Sequence, residues 1–272
     1  MKKIVLSIVL LTLSVFIAAC SGGEGETVKV GISGTDTRQW DYVAEKAAEE
    51  GINIEIVSFN DYVQPNTALA DGELDANAFQ TVAYFDQFIV EHELDLVPIA
   101  TTVLAPMGMF SDKYTDVNDI PDGEKIAVPN DVSNQGRALL LLQDAGLIEL
   151  VEDYDGLGSI EESIVGNPKN IELVPMAPAQ TPRALEDVAA SVINNGIAND
   201  AGLNPIHDSI FHEDETAIDY LNIIAVNEED KDNETLQRIA ELYQEEDTAE
   251  FIEQEYGGTL LPTFVPLENI GW

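Results

Sequence analysis

The chain has 272 residues, of which 45% are hydrophobic, and its 51 acidic and 12 basic side chains give a formal net charge of −39 at pH 7. Such an acidic chain cannot gain affinity by neutralising phosphates, which excludes nucleic acid as a partner. The regular placement of its hydrophobic residues excludes a disordered chain, and its single cysteine excludes an internal disulfide.

Residues 1–19 are predicted to be a signal peptide, because Lys2 and Lys3 precede an apolar run that is too short for a membrane span. The run ends in IAAC at 17–20, which resembles a bacterial lipobox. The resemblance implies cleavage before Cys20 and a diacylglyceryl thioether on its sulfur, which would give the unpaired cysteine a role as a lipid anchor. The alternative is a plain signal peptide with an incidental cysteine. Residues 20–26 would then form the lipidated cysteine and a flexible tether.

The mature chain after this cleavage would carry 10 basic against 51 acidic residues, a net charge near −41. A surface of this kind repels itself at low salt and is tolerated where about 1 M salt shortens the Debye length to about 3 Å. We therefore expect a saline or alkaline habitat. The alternative is a general bias towards solubility.

From residue 27 onward, segments with strand periodicity alternate with segments of helical periodicity. The predicted strands cover 27–33, 52–59, 125–129, 171–175, 191–193 and 217–226, and 95–111 is a long apolar stretch interrupted by Pro98 and Pro106. The predicted helices begin after 34–37 and after 60–61, and others cover 136–145, 159–165, 185–190, 232–245 and 248–256. This alternation predicts an α/β fold with mostly parallel sheets.

Ligands of such sheets bind outside the carboxyl ends of the strands, so the loops that follow strands are candidate site segments. These loops cover 33–37, 59–64, 129–137 and 193–198.

Catalytic and metal-binding patterns are weak in this chain. His207-Asp208 and His212-Glu213-Asp214 fit no common zinc spacing, and we interpret them as parts of an acidic surface loop. The remaining histidine is His92, and there is no nucleophile elbow, P-loop or cysteine nucleophile. We therefore expect no metal, no cofactor and no enzymatic activity. A cell-envelope hydrolase, which needs a nucleophile–base pair, is kept as a rival hypothesis.

Arg137 is the basic residue that stands out. It closes the stretch NDVSNQGR at 130–137, at a predicted helix start and directly before an apolar run. A helix N-terminus attracts anions, and an arginine there adds a planar, bidentate receptor for a carboxylate. A structural ion pair with one of the many acids fits the local sequence equally well.

Several stretches in order along the chain resemble the NlpA-type methionine-binding lipoproteins. They are FNDYVQPN at 59–66, ALADGELDANAFQ at 68–80, VPND at 128–131, NQGRALLLL at 134–142, NPKN at 167–170, PRAL at 182–185, VIN at 192–194, YLNII at 220–224 and the terminal GW. The resemblance implies a two-lobed, periplasmic-binding-protein-like α/β fold with two chain crossovers and a ligand cleft. It places one lobe at 27–114 plus 225–272 and the other at 115–224.

The resemblance also implies a binding site in the cleft. Arg137 would hold the α-carboxylate of an amino acid, and the side-chain oxygens of Asn134, Asn194 and Asn222 would accept from its α-ammonium. The apolar side chain would lie among the aromatic rings of Tyr62, Phe79 and Tyr84. Phe79, Tyr84 and Asn222 could instead be structural, and the neighbouring Phe85 and Phe88 are better explained as helix core.

Thr81 departs from the family pattern, in which a histidine usually follows Ala-Phe-Gln. A small hydroxyl in place of a ring should enlarge the pocket, so a short methionine-containing dipeptide or another apolar amino acid remains an alternative ligand. We predict an extracytoplasmic lipoprotein that captures L-methionine for an ABC importer permease. We expect a monomer that is anchored through Cys20 to the outer face of the cell membrane.

Overall fold

The computed structural model describes residues 27–214 and 220–272. The predicted signal peptide, Cys20 and the tether lie outside the described residues. Within the described ranges, no helix has both the length and the apolar character needed to cross a membrane.

Strands and helices are interspersed along the described chain. The strands are β1 Thr27–Ser33, β2 Asn53–Phe59, β3 Ala76–Asn77, β4 Leu96–Leu104, β5 Gly108–Phe110, β6 Lys125–Pro129, β7 Glu149–Leu150, β8 Ile164–Gly166, β9 Glu172–Met176, β10 Ala190–Ile193, β11 Phe211–His212, β12 Leu221–Asn227 and β13 Leu261–Pro262. The α-helices are α1 Arg38–Glu49, α2 Gln64–Ala70, α3 Val82–His92, α4 Val132–Asp144, α5 Ile160–Ser163, α6 Asn195–Asp200, α7 Glu234–Tyr243 and α8 Glu246–Tyr256. The α/β fold class is therefore confirmed.

The first lobe is built on a six-stranded sheet with the order β13-β4-β12-β3-β1-β2. Val28, Val30 and Ile32 of β1 are each at most 3% exposed, because their alternation places them on the covered face of the sheet. Trp40 of α1 and Tyr243 of α7 belong to the same buried cluster, with ring centroids 5.1 Å apart. These apolar contacts hold the helices on the sheet.

The second lobe is built on a five-stranded sheet with the order β11-β5-β10-β6-β9. Its core contains Ile126 and Val128 of β6 and Leu139 and Leu142 of α4, all fully buried. The run of leucines after Arg137 is therefore the core face of α4, and this packing fixes the helix start at the edge of the sheet.

Strand pairing places the two crossings between lobes earlier than the predicted boundaries after 114 and 224. β4 pairs in the first sheet and β5 in the second, so the first crossing lies within 105–107. β11 pairs in the second sheet and β12 in the first, so the return lies between 212 and 221. The sequence could not show this, because 95–111 is one apolar stretch that pairs in two different sheets.

Three local predictions differ from the structure. The sheets are mixed rather than mostly parallel, since β12 pairs antiparallel with both β3 and β4. The helix predicted at 159–165 is a single turn, α5, followed by β8, which forms a hairpin with β7. The helix predicted at 185–190 is a 3₁₀ turn, Arg183–Glu186. Short apolar runs of this kind do not distinguish helix from strand by periodicity.

Candidate functional site

A cleft between the two lobes is the candidate site. Its lining comes from both lobes. It includes residues of all four loops that follow predicted strands and were named as candidate site segments, among them Ser33, Tyr62, Arg137 and Asn194. The cleft holds about 1030 Å³ of space free of protein atoms, part of it open to solvent.

The structure brings all the predicted ligand-binding residues together in the lining of this cleft. They are Tyr62, Phe79, Thr81, Tyr84, Asn134, Arg137, Asn194 and Asn222. Five of them come from the first sheet and its loops, and three come from the second. A ligand in this position would contact both lobes, and its binding would depend on how the lobes sit against each other.

Tyr62, Phe79 and Tyr84 form an aromatic wall. Their ring centroids are 5.9 to 6.2 Å apart, within the range of edge-to-face and offset ring contacts. The Tyr84 hydroxyl donates to the backbone oxygen of Tyr62 at 2.9 Å, which fixes one ring against the other. Burial raises the pKa of both tyrosine hydroxyls, so the wall remains uncharged. Phe85 and Phe88 are buried behind it.

Thr81 has a structural role in addition to its place in the cleft. It is the N-cap of α3, and its hydroxyl oxygen accepts from the backbone N–H of Tyr84 at 3.2 Å. Its backbone also forms an isolated bridge with Asn222 of β12. The cap orients the first turn of α3 and with it the Tyr84 ring.

Arg137 forms a buried ion pair with Glu213. The guanidinium donates through Nε to Oε1 at 2.6 Å and through Nη2 to Oε2 at 2.5 Å, and the two side chains are only 5% and 12% exposed. The Glu213 side chain is therefore not part of a solvated surface loop, and that interpretation was wrong. His212, the residue before it, is exposed.

The guanidinium of Arg137 has two further contacts besides the ion pair with Glu213. Nη2 also donates to the backbone oxygen of Ala105 at 2.9 Å, and the Tyr220 ring lies 4.4 Å from the guanidinium carbon. Nη1 makes no hydrogen bond to the part of the chain that the structure describes. Arg137 therefore combines the two alternatives that the sequence left open, because it is ion-paired and also lines the cleft.

A chain of side-chain hydrogen bonds runs along the second-lobe wall of the cleft. The Asn194 amide donates to Oδ1 of Asn134 at 2.7 Å, and the Asn134 amide donates to Oδ1 of Asp131 at 2.8 Å. Asp131 is also the N-cap of α4 and accepts from the backbone N–H of Asn134 at 3.0 Å. Oδ1 of Asn194 and Oδ2 of Asp131 are buried and have no partner in the described chain.

Sequence reasoning missed Asp131 and Glu213 as parts of the site. Asp131 could have been found from its place at the start of α4, three residues before Asn134. Glu213 gave no local signal, because it lies 76 residues from Arg137 and is one of 51 acids. A buried amide cluster behind the aromatic wall was also missed, in which Asn66, Asn77 and Gln80 bond one another at 2.7–2.9 Å.

The described residues place neither a histidine nor a cluster of metal-ligating side chains in the cleft. His92, His207 and His212 are exposed, and none of them lines the cleft. Among residues 27–214 and 220–272, no group of three or more histidine, cysteine, aspartate or glutamate side chains is placed to hold a metal ion.

Comparisons with known proteins place these features in a family. The model of the NlpA lipoprotein family matches residues 28–264. The uncharacterized lipoprotein YhcJ of Bacillus subtilis is 40% identical over 99% of this chain and 97% of its own length. The D-methionine-binding lipoprotein MetQ of Salmonella typhimurium is 40% identical over 90% of this chain and 92% of its own length.

A solved structure shares the same architecture. The nutrient-binding protein of Burkholderia cenocepacia, determined bound to methionine, has a TM-score of 0.83 and 40% identity over 87% of this chain and all of its own. The length and level of these matches, together with the two-lobed fold and its cleft, show that this chain belongs to the NlpA lipoprotein family.

Proposed function

We propose that this protein captures L-methionine outside the cytoplasm and delivers it to an ABC importer. The observation that carries the proposal is the meeting of the Arg137 side chain, the amides of Asn134, Asn194 and Asn222 and the aromatic wall in the lining of one cleft. A carboxylate receptor, hydrogen-bond acceptors and an apolar wall are the three elements that a zwitterionic apolar amino acid requires. A relative named for D-methionine binding and a solved structure determined bound to methionine support methionine as the ligand, without selecting the L form.

Each part of the cleft has a separate task in this proposal. Arg137 binds the α-carboxylate through Nη1, while Glu213 holds the guanidinium in place from its other edge. A thioether packs against the aromatic wall, where each sulfur–ring contact contributes about 0.3–1.5 kcal/mol. A zwitterion has no net charge, so the strongly negative chain does not repel it overall.

Contacts across the cleft support capture by lobe closure. Oδ1 of Asp200, in α6 of the second lobe, accepts from the backbone N–H and the hydroxyl of Thr35 in the first lobe, at 3.0 and 2.8 Å. The Asn195 side chain donates to the backbone oxygen of Thr259 at 2.7 Å. Both contacts form only when the lobes are together, so a ligand that bridges the lobes favours them.

The ligand can be tested by thermal stability and by tryptophan fluorescence. Trp40 lines the cleft and is 1% exposed, so it reports on occupancy there. We expect micromolar L-methionine to raise the melting temperature, in a screen of the twenty amino acids, D-methionine and Gly-Met in high salt. The absence of any response to methionine, together with a response to another ligand, would overturn the choice of methionine.

A methionine-containing dipeptide or a larger apolar amino acid is the second candidate ligand. The small side chain of Thr81 in the cleft lining favours it. Replacing Thr81 by His should narrow the cleft and shift the preference from Gly-Met towards methionine. If Thr81→His leaves the ratio of the two affinities unchanged, Thr81 does not set ligand size.

The lipid anchor and the outer membrane location are further parts of the proposal. We expect metabolically labelled fatty acid to be incorporated into the native chain and not into Cys20→Ala, which should be released from the membrane. Retention of the label by Cys20→Ala would contradict an anchor at this residue. Delivery can be tested by ligand-dependent stimulation of the ATPase of a purified importer.

A further inference from the structure

Asp131 is the first acceptor of a directed hydrogen-bond chain that ends in the cleft, which we call the amide relay; it consists of Asp131, Asn134 and Asn194. Oδ1 of Asp131 receives two N–H groups of Asn134, one from the backbone at 3.0 Å and one from the side chain at 2.8 Å. Independently of that side chain, Oδ1 accepts from the backbone N–H of Asn134 and from the Ser133 hydroxyl at 3.5 Å, so it acts as an acceptor. The Asn134 side chain must therefore turn its NH₂ group towards Asp131.

That orientation determines the rest of the relay. With its NH₂ group on Asp131, Asn134 can present only Oδ1 to Asn194, and Asn194 donates to it at 2.7 Å. The Oδ1 oxygen of Asn194 then remains without a hydrogen-bond donor among the described residues. This oxygen is buried and has no partner in the described chain, although Asn194 is 8% exposed and lines the cleft.

A buried acceptor without a donor costs about 1–3 kcal/mol, so a group that supplies the missing donor gains that energy on binding. An ammonium group has three donors and no acceptor. We propose that Asp131 is a positioning residue that sets the direction of the amide relay, so that Asn194 offers its carbonyl oxygen to the ligand's ammonium group. The role rests on the proposed function, since it needs a ligand with an ammonium group.

The direction of the relay does not depend on the charge of Asp131. Burial raises the pKa of its carboxyl, and the hydrogen bonds from Asn134 act against that rise. A proton on the carboxyl would sit on Oδ2, which has no partner in the described chain, and would leave Oδ1 free to accept. Asparagine at this position keeps both the cap and the acceptor. Serine keeps a cap but is too short to hold the Asn134 amide and can donate as well as accept.

The test compares Asp131→Ser with Asp131→Asn in the full-length protein, using L-methionine and 4-(methylthio)butanoate, its analogue without the amino group. The preference for methionine over this analogue should fall about tenfold in Asp131→Ser and stay within about threefold of the original in Asp131→Asn. A general loss of structure would weaken both ligands equally and leave the preference unchanged. Asp116→Ser is the matched control, because Asp116 caps a 3₁₀ helix and accepts from the backbone and side chain of Asn118, outside the cleft lining.

Three results would overturn the relay. An unchanged preference in Asp131→Ser, together with an unchanged melting temperature, shows that the direction is set elsewhere, while the proposed function stands. If the preference falls equally in Asp131→Asn and Asp131→Ser, the charge of Asp131 and not the direction of the relay determines the preference. Failure of the unchanged protein to bind methionine or any other amino acid overturns the proposed function and the relay with it.

Discussion

Arg137 and Glu213 join the two segments by which the chain crosses between lobes. Arg137 donates to the backbone oxygen of Ala105 in the first crossing, and Glu213 lies at the start of the second. Oε2 of Glu213 also accepts from the backbone N–H of Met107 at 2.7 Å. The ion pair therefore fixes the guanidinium for the cleft and ties the crossing segments to each other.

Replacing Glu213 by Gln should destabilise the protein by about 3 kcal/mol, because it leaves the buried Arg137 charge without compensation. Urea unfolding measures this loss, provided that the unfolding free energy of the variant and of the original protein falls with urea concentration at the same slope. Glu172→Gln is the control, since the Glu172 and Lys125 side chains are both more than half exposed and their pair should contribute less than about 1 kcal/mol. Equal effects of the two substitutions would argue against a buried pair.

Replacing the pair as a unit separates binding from stability. Arg137→Met with Glu213→Gln removes the guanidinium without leaving an unpaired carboxylate, and the glutamine can still accept from Met107. We expect this double variant to fold and its affinity for L-methionine to fall at least about a hundredfold, as measured by calorimetry. Arg183→Met removes an exposed arginine of the same lobe and should leave the affinity unchanged. Near-native affinity of the double variant would refute the role of Arg137 as the carboxylate receptor.

Asp200 should stabilise the closed state, in which the two lobes are in contact. Its carboxylate lies so close to Gly34 that a Cβ on that glycine would sit 2.6 Å from Oδ2, and Gly34 has a φ of +94° that favours glycine. Asp200→Ala removes the contact with Thr35 and should weaken methionine binding about three- to tenfold, mainly through faster dissociation. Stopped-flow fluorescence of Trp40 measures the rate. Asp187→Ala, at an exposed acid of the same lobe, serves as the control, and equal rates for the two variants would show that Asp200 does not hold the lobes together.

Salt should stabilise this protein strongly. The net charge of −39 produces self-repulsion that is screened when the Debye length falls from about 10 Å at 0.1 M to about 3 Å at 1 M. We expect the melting temperature to rise by about 5 °C or more between these concentrations of NaCl. The variant with Glu186→Lys and Asp187→Lys, at two exposed positions, should show a smaller rise. A melting temperature independent of salt would exclude self-repulsion as a limit on stability.

The sequence predicted the helices and strands of the fold better than the pairing of the strands in the sheets. The alternation of Val28, Val30 and Ile32 predicts β1, and the apolar run after Arg137 predicts the buried part of α4, because both patterns lie within one element. The pairing of β4 with β12 joins segments more than a hundred residues apart. No local period indicates that pairing, so the mixed character of the sheets and the positions of the crossings were not predicted.

The same division holds for the site. The sequence by itself determined part of the cleft lining, because motif resemblance selected eight residues and all of them line the cleft. Only the tertiary structure decided which groups they contact. Of the 51 acidic residues, Glu213 forms the ion pair with Arg137. Asp200 forms a hydrogen bond with Thr35, which lies 165 residues away in the chain. The physical reason is that charge and hydrogen-bonding capacity are properties of a residue type, whereas the choice of partner depends on which side chains folding buries together.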